Sequence, residues 1–321
     1  MQRRHLLQAT AVLAAPTLVF ADTWPSKAIR YVVPFAPAGT TDILARLIAP
    51  KLSAALGQPI VVDNRAGAGG VLGADVVAKS PGDGYTILGS TIATHAINPA
   101  LNPKLAYNAA KDFEPITMIG TTSNVIVVPA NSPFKTFQEL LAYARANPGK
   151  LAFSSSGAGS SQHMGGELLK QMAKAYILHI PYRGSGPAVQ DVIAGQVNLG
   201  IDTLVATAAH IKAGTLRALA VTSSKRVKGF EQVPTVAESG VPGYEVVSWQ
   251  TVHAPAGTPK EVVRRLYEEI SKILAQPDTR ARLEAVALEP SGMSPSELAT
   301  FEAAERVKWA RVVKEGGIKA D

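Results

Sequence analysis

Two short segments combine glycine with hydroxyl-bearing residues where a strand pattern gives way to a helix pattern. They are residues 35–42 (FAPAGTTD) and residues 156–163 (SGAGSSQH). Small residues let a ligand approach the backbone, and the first turn of a helix offers unpaired N–H groups at the positive end of its dipole. Each loop would also lie at the carboxyl end of a strand, where open α/β sheets bind ligands. This pattern favours the non-covalent binding of a small anion, either a carboxylate or a phosphate.

The same residues are also typical of ordinary tight turns, in which serine and threonine side chains cap the following helix. Asp42, in the first predicted helical turn, would either orient its loop or complement the helix dipole. Tyr182 and Arg183 would either cover a ligand or line a surface turn. The sequence alone leaves these alternatives open.

Motifs for catalysis and cofactor binding fail on spacing. The glycine-rich segment 64–73 lacks the dinucleotide fingerprint, because Leu72 stands where the third glycine belongs. There is no phosphate-binding P-loop, no G-x-S-x-G elbow and no pair of histidines at H-x-x-x-H spacing. Ser161 and His163 would face different directions on a helix. We expect no enzymatic activity, no cofactor and no metal; the competing hypothesis is a secreted serine hydrolase using Ser160 or Ser161.

Composition narrows the class of protein further. The 321 residues contain no cysteine, which excludes disulfides, thiolate metal sites and cysteine nucleophiles. Lysine and arginine outnumber the acidic residues by 32 to 25, but the excess is spread along the chain without interleaved aromatic residues. A nucleic-acid partner is therefore not expected. The length favours two domains over one.

Apolar, β-branched runs alternate with amphipathic segments such as residues 41–56, which predicts an α/β fold. Hydroxyl residues placed three positions before a glutamate, at Thr136, Thr258 and Ser294, predict capped helix starts. The pair Gly316-Gly317 is expected to end the last helix. The runs predicted as buried parallel strands are 28–35, 60–63, 85–89, 124–128, 151–155, 177–180, 197–201 and 216–221.

Residues 1–21 have the pattern of a secretory signal. Arg3 and Arg4 precede an apolar stretch that ends at Val19-Phe20-Ala21, which predicts cleavage after Ala21 and a periplasmic mature protein. The stretch is shorter than the about 20 residues that span a bilayer. The paired arginines leave both general secretion and twin-arginine export open.

A series of sequence blocks, in one order along the chain, resembles the Bug (TctC-like) extracytoplasmic solute receptors of tripartite tricarboxylate transporters. The resemblance implies a two-domain periplasmic binding protein fold with a hinge and a central cleft, a small carboxylate ligand, and membrane transporter subunits as partners. We expect a monomer. The blocks are 35–42, 45–46, 64–70 (NRAGAGG), 83–86 (DGYT), 154–163, 181–184 (PYRG), 234–238 (PTVAE) and 254–259 (APAGTP).

Candidate crossings between the domains, at residues 121–124 and 222–225, supply the domain boundaries, and the resemblance supplies the site residues. Residues 22–123 and 225–321 would form one domain and residues 124–224 the other. Two residues depart from the pattern: Ala38 and Lys174 stand where glycine is frequent, and Ala38 is expected to restrict the first loop. The residues expected to bind the ligand are Phe35, Ala38, Gly39, Thr40, Asp42, Ser156, Gly159, Ser160, Ser161, His163, Tyr182, Asp202 and Thr203.

Overall fold

The computed structural model describes residues 24–319 as alternating strands and helices, so the predicted signal segment lies outside the described residues. The strands are β1 (Ile29–Val33), β2 (Ile60–Asn64), β3 (Thr86–Thr91), β4 (Phe113–Pro129), β5 (Ala152–Ser155), β6 (Leu178–Pro181), β7 (Leu199–Thr203), β8 (Leu216–Val221), β9 (Val247–Pro255) and β10 (Glu289–Pro290). The helices are α1 (Thr40–Leu56), α2 (Val71–Ala78), α3 (Asn98–Leu101), α4 (Phe137–Ala146), α5 (Ser161–Ala173), α6 (Ser185–Ile193), α7 (Leu204–Lys212), α8 (Lys260–Ala275), α9 (Pro277–Ala285) and α10 (Pro295–Gly316).

One curled sheet runs through the molecule in the order β2-β1-β3-β9-β4-β7-β5-β6, and β8 and β10 also pair with β4. Each end of the sheet is parallel: β1 pairs with β2 and β3, and β5 pairs with β6 and β7. The centre is antiparallel, since β4 runs opposite to β7, β8 and β9. The sheet therefore consists of two parallel lobes joined by an antiparallel centre.

Strand β4 belongs to both lobes. Its first part pairs with β9 as far as Ser123, which lies opposite Val247, and its second part pairs with β7 from Asn124, which lies opposite Thr203. The predicted strand 124–128 is thus correctly placed, but its predicted parallel direction is wrong, as it is for β8. Apolar β-branched runs report burial on both faces, and burial carries no information on strand direction.

Three of the four predicted helix boundaries are confirmed. Thr136 and Ser294 each form a capping box with the glutamate three residues on, and Gly317 ends α10 in the left-handed conformation. The predicted cap at Thr258 is wrong: Pro259 precedes the helix, and the Thr258 hydroxyl donates to the carbonyl oxygen of Pro255 instead. There the hydroxyl closes the preceding turn rather than the helix start.

Apolar clusters pack against the sheet in both lobes. In the first lobe, Tyr31, Leu44 and Ile270 are buried between β1, α1 and α8. In the second lobe, Phe230 and Val233 pack in one cluster with residues of β4, α6, α7 and β8. The segment 225–246 therefore packs on the second lobe before the chain enters β9.

Candidate functional site

A pocket lies between the two loops that the sequence singled out. Its lining consists mainly of hydroxyl and amide side chains, and its apolar side chains are those of Phe35, Ile92 and Ala93. None of the lining residues of this described pocket is a lysine or an arginine. The lining comprises Phe35, Gly39, Thr40, Thr41, Thr91, Ile92, Ala93, Ser156, Ser160, Ser161, Gln162, Ser185, Thr203, Ser248 and Gln250.

Four helices begin at this pocket. Helix α1 starts at Thr40 and α5 starts at Ser161, while α6 starts at Ser185 and α7 follows its cap, Thr203. All four residues line the pocket. The first turns of these helices carry unpaired N–H groups and the positive ends of the helix dipoles. Their convergence makes the pocket receptive to an anion without any cationic side chain.

Buried Asp42 shapes the first loop. Its carboxylate accepts hydrogen bonds from the Ala38 backbone N–H at 3.0 Å and from Asn64 Nδ2 at 3.0 Å, and Arg46 Nε donates to it from the next helical turn. Burial alone would raise the pKa of Asp42, but the hydrogen bonds from Arg46, Ala38 and Asn64 and the charge of Arg46 lower it below its usual range. Asp42 is therefore ionised and fastens the loop to α1. It is absent from the described pocket lining.

Ala38 adopts the left-handed conformation with φ of 63°. This region is unfavourable for residues with a side-chain Cβ, which agrees with the expectation that Ala38 restricts the loop. Lys174, the other departure from the glycine pattern, has φ of 51° at the end of α5. Both positions are thus places where glycine would be the less strained residue.

The second loop is held by the side chains of α5. Ser160 Oγ accepts a hydrogen bond from the His163 backbone N–H, and the Gly159 N–H donates to His163 Nδ1 at 3.1 Å. Gly159 has φ of 75°, and a Cβ at this position would lie 2.1 Å from Asn98 Oδ1. The loop therefore requires glycine here for both its conformation and its close approach to Asn98.

Asp202 anchors a polar network beneath the second wall of the pocket. It is 2% exposed, and its Oδ1 accepts hydrogen bonds from Ser185 Oγ at 2.7 Å, from the Thr203 N–H at 2.7 Å and from Gln162 Nε2 at 3.3 Å. Burial raises the pKa of Asp202 to about 6, against the opposing effect of these hydrogen bonds. Ser185, Thr203 and Gln162 all line the pocket. Asp202 thus orients three lining residues from below.

The two walls of the pocket touch each other. The hydroxyls of Thr40 and Thr203 form a hydrogen bond across it, and the Ala36 N–H donates to the Arg183 carbonyl oxygen at 3.0 Å. Gly39 also lies against Ser185, since a Cβ on Gly39 would be 3.6 Å from the Ser185 backbone nitrogen. The structure therefore has the two lobes closed on each other.

The structure brings seven of the thirteen predicted site residues into the lining: Phe35, Gly39, Thr40, Ser156, Ser160, Ser161 and Thr203. The other six lie outside the described lining: Ala38, Asp42, Gly159, His163, Tyr182 and Asp202. Of these, Tyr182 donates its phenolic proton to Asp191, and burial together with Asp191 raises the pKa of Tyr182 to about 12. The remaining five belong to the loops and networks behind the lining.

Several lining residues were missed at the level of sequence. Gln162 lies inside the second loop and Ser185 two residues after Arg183, so both had a local signal. Ser248 and Gln250 lie on β9, which was not predicted as a strand because polar residues occupy its buried positions. Thr41 Oγ1 donates to Gln250 Oε1 at 2.9 Å, which joins β9 to the first loop.

The hydroxyls of Ser160 and Ser161 are hydrogen-bonded to groups that do not activate a serine nucleophile. Ser160 caps α5, and Ser161 Oγ makes long hydrogen bonds to Asn124 Oδ1 and Gln162 Oε1. A serine–histidine–glutamate chain does occur elsewhere, where His253 bonds Ser90 at 2.5 Å and Glu302 at 3.3 Å. These three residues are at most 3% exposed, so the chain ties α10 to the sheet and offers no route to a substrate.

Two kinds of feature are absent from residues 24–319. No helix there is both long and apolar enough to cross a membrane. Within the same range, no group of three or more His, Cys, Asp or Glu side chains is placed to hold a metal ion.

A two-lobed α/β fold that closes on a pocket of helix starts defines a solute-binding receptor of the periplasmic binding protein class. The chain belongs to the family described as "Tripartite tricarboxylate transporter family receptor", whose sequence model matches residues 44–318. The family resemblance drawn from the sequence blocks and the predicted fold class are thus confirmed. Members of this family are periplasmic receptors.

Relatives and solved structures agree with this assignment. Protein BugT of Bordetella pertussis is 42% identical over 315 residues, which cover 97% of this chain and 95% of BugT. A Rhodopseudomonas palustris protein solved with adipate has a TM-score of 0.89 at 41% identity, covering 92% of this chain and 99% of that one. MatC from the same organism, solved with bound malate, has a TM-score of 0.86 at 34% identity, covering 90% of this chain and 100% of MatC.

Proposed function

We propose that this receptor captures a small carboxylate in the pocket and presents it to the membrane subunits of a tripartite transporter. The observation that carries this proposal is the convergence of four helix starts on a pocket whose described lining has no cationic side chain. Hydrogen bonds from helix N–H groups and hydroxyls suit a carboxylate. The adipate and malate bound by two relatives of similar fold support the same ligand class.

The predicted site residues divide into two roles in this proposal. Phe35, Gly39, Thr40, Ser156, Ser160, Ser161 and Thr203 contact the ligand or its hydration shell. Ala38, Asp42, Gly159, His163 and Asp202 act by holding the loops that carry those residues. We propose no contact for Tyr182, whose hydroxyl is bonded to Asp191.

We propose that the lobes are domains that move about a hinge at Ser123–Asn124, where β4 changes partners. We keep the predicted first boundary, at residues 123 and 124. The packing of residues 225–246 on the second lobe supports a second boundary at residues 246 and 247 rather than at 224 and 225. Thr222 links the two proposed boundaries. Its N–H donates to the Asn124 carbonyl oxygen, and its own carbonyl oxygen accepts from the Val246 N–H, each at 2.9 Å.

Export with cleavage after Ala21, a monomeric state and the absence of a chemical reaction complete the proposal. A sensory receptor that signals without transport would use the same pocket with a different partner. The intact mass of periplasmic protein tests the cleavage site, since we expect Asp22 as the first residue. Turnover of a small ester tests the competing hydrolase hypothesis, for which Ser160 and Ser161 are the candidate nucleophiles.

Thermal unfolding of the mature protein against a panel of carboxylates tests the central proposal. A ligand present at 100 times its dissociation constant adds about 2.7 kcal/mol to the free energy of unfolding. We expect at least one carboxylate in the panel to raise the melting temperature, and its carboxamide analogue to have no effect. A panel in which no carboxylate raises the melting temperature, or in which the carboxamides raise it equally, would contradict carboxylate capture.

A further inference from the structure

A groove lies behind the proposed hinge, on the opposite side of the hinge strands from the pocket. Along β9, Ser248 lines the pocket and the preceding residue, Val247, lines the groove. Successive side chains of a strand point to opposite faces of its sheet. Thr122 and Ser123 of β4 also line the groove, next to the point where β4 changes partners. The hinge strands therefore separate the pocket in front from this groove at the back.

The two lobes form opposite walls of this groove, which we call the back groove. Residues 223–228, in the segment after β8, form the wall from the second lobe. Glu284, Leu288 and Glu289 belong to the wall from the first lobe. Because the walls belong to different lobes, any change in the angle between the lobes changes the width of the back groove.

Two lysines of the second lobe reach the first lobe beside the back groove. Lys228 Nζ lies 3.0 Å from Glu284 Oε2, and Lys212 Nζ donates to the Ala285 carbonyl oxygen at 2.7 Å. Both lysines are exposed, and the Lys228 side chain is 83% accessible to solvent. Contacts of this kind contribute little, and long flexible side chains can follow a moving wall. These two contacts therefore do not fix the width of the groove.

The base of the back groove keeps the two lobes in contact. Thr122 Oγ1, on the hinge strand β4, donates to the Ala287 carbonyl oxygen at 3.0 Å. Ala287 packs in the apolar cluster of the second lobe, whereas the next residue, Leu288, packs in that of the first lobe. Since adjacent residues are held in the cores of different lobes, a rotation of one lobe against the other must pivot close to this point.

We propose that the back groove controls closure: it widens as the pocket closes and narrows as the pocket opens, so that filling it holds the receptor closed. The pocket and the groove lie on opposite sides of one pivot. A rotation that brings the pocket walls together in front therefore moves Glu284 away from residues 223–228 at the back. A bulky group in the groove opposes opening and favours the closed state without touching the pocket. This inference rests on the proposed hinge and on no particular ligand.

Tryptophan substitutions that fill the back groove test this inference. Ser224→Trp fills it from the second lobe and Glu289→Trp from the first lobe, and both positions are exposed. The probe is whichever of succinate, malate and adipate stabilises the wild type most. We expect each variant to bind it at least about threefold more tightly than the wild type, because a larger fraction of the empty receptor is already closed. Ala142→Trp, at an exposed position on α4 outside the groove lining, should bind it as the wild type does.

Distances between paired spin labels measure the movement itself and require no ligand. The chain has no cysteine, so labels can be attached at introduced cysteines alone. Lys228→Cys with Glu284→Cys spans the back groove. Arg65→Cys with Arg183→Cys spans the front, where both residues are exposed beside the first loop. In the ligand-free protein, we expect Ser224→Trp to lengthen the back distance and to shorten the front distance.

The two distances must change in opposite directions. Front and back distances that change in the same direction would overturn the inference. Unchanged distances in both tryptophan variants would also overturn it, as would weaker binding of the acid by both. Glu289→Trp keeps the test sound if Ser224→Trp fails to fold. If the labels move as expected but none of the three acids binds, the proposed carboxylate function fails and this inference stands.

Discussion

At the scale of single residues, the buried carboxylates of this receptor act on the pocket from behind its lining. Asp42 fastens the first loop through the Ala38 N–H and Asn64, and Asp202 orients Ser185 and Gln162 under the second wall. Their environments differ, because Arg46 lies beside Asp42 and lowers its pKa, whereas burial raises the pKa of Asp202. The pKa values of the two acids at this pocket are therefore shifted in opposite directions.

Replacing Ala38 should stabilise the protein. Ala38 is held at φ of 63°, so Ala38→Gly relieves left-handed strain and should raise the free energy of unfolding by about 0.5–1 kcal/mol, net of the added flexibility of the unfolded chain. Urea unfolding measures this change. Ala36→Gly is the matched control, since Ala36 is not among the positive-φ residues and should lose about 0.5–1 kcal/mol. A loss in both variants would show that Ala38 is unstrained.

Asp202 should make stability depend on pH in a defined direction. Its pKa is about 6 in the folded protein against an ordinary value of 3.8, so the folded state binds this proton more tightly than the unfolded chain does. The contribution to stability is complete below about pH 4 and is lost as the pH rises through about 6, a change of up to about 3 kcal/mol.

The variant Asp202→Asn removes this titration. The free energy of unfolding of the variant minus that of the wild type should therefore increase between about pH 4 and about pH 7 and stay constant above that range. Chemical denaturation at a series of pH values measures the difference, in which the other titrating groups cancel. A difference that is flat or that decreases over this range would contradict a raised pKa for Asp202.

At the scale of elements, the pocket depends on loops that place helix starts close together. The second loop approaches Asn98 so closely at Gly159 that no side chain fits there. In the proposed function, this loop therefore contributes its backbone shape, rather than a cationic side chain, to the ligand site.

Gly159→Ala should impair both stability and binding. The new Cβ would meet Asn98 Oδ1 at 2.1 Å and would occupy a positive φ of 75°, at a cost of about 2–3 kcal/mol, and the displaced loop should weaken carboxylate binding at least tenfold. Gly195→Ala is a close control, because Gly195 has φ of 74° and nothing within 4 Å of its would-be Cβ.

The control should therefore lose only about 1 kcal/mol and bind normally. Arg183→Ala should also keep its affinity within about threefold, since the Ala36 N–H bonds the Arg183 backbone oxygen and not its side chain. Titration of the three variants decides the matter. Loss of binding in Arg183→Ala but not in Gly159→Ala would mean that a salt bridge holds the ligand.

The sequence could predict the elements whose signals are local. The first and second loops could be predicted as binding loops, because glycine and hydroxyl residues lie there between a strand pattern and a helix pattern. Strand β9 was not predicted, because the polar residues Ser248, Gln250 and His253 are buried in it. The hydrogen-bond partners of Gln250 and His253 lie far away along the chain. The antiparallel direction of β4 and the bonds of Asp202 were hidden for the same reason. Contacts between distant segments leave no periodicity in the sequence.

At the scale of the whole molecule, the structure shows the lobes closed on each other, with Gly159 of the second loop against Asn98 and Gly39 of the first loop against Ser185. The hydrogen bonds Thr40–Thr203 and Ala36–Arg183 join the walls directly. Water replaces such bonds when the lobes separate, so each contributes only about 1 kcal/mol to closure. A ligand that touches helix starts of both lobes would add to the preference for the closed state.

Ligand binding should therefore shift the molecule toward the closed state. Small-angle scattering of the mature protein should give a smaller radius of gyration with saturating carboxylate than without it. Thr203→Val, which removes one bond between the walls, should enlarge the radius of the ligand-free protein or leave it at its open limit. Identical curves with and without ligand, at occupancy verified by calorimetry, would indicate a rigid preformed pocket.

The proposed anion site is tested most directly by comparing a carboxylate with its uncharged carboxamide. The best-stabilising acid from the thermal panel and the corresponding carboxamide are titrated into the mature wild-type protein by calorimetry under one set of conditions. The convergence of four helix starts predicts that the acid binds and that the amide, of nearly the same shape, binds at least about 100-fold more weakly. Equal affinity for the two would contradict the claim that these helix starts form an anion site.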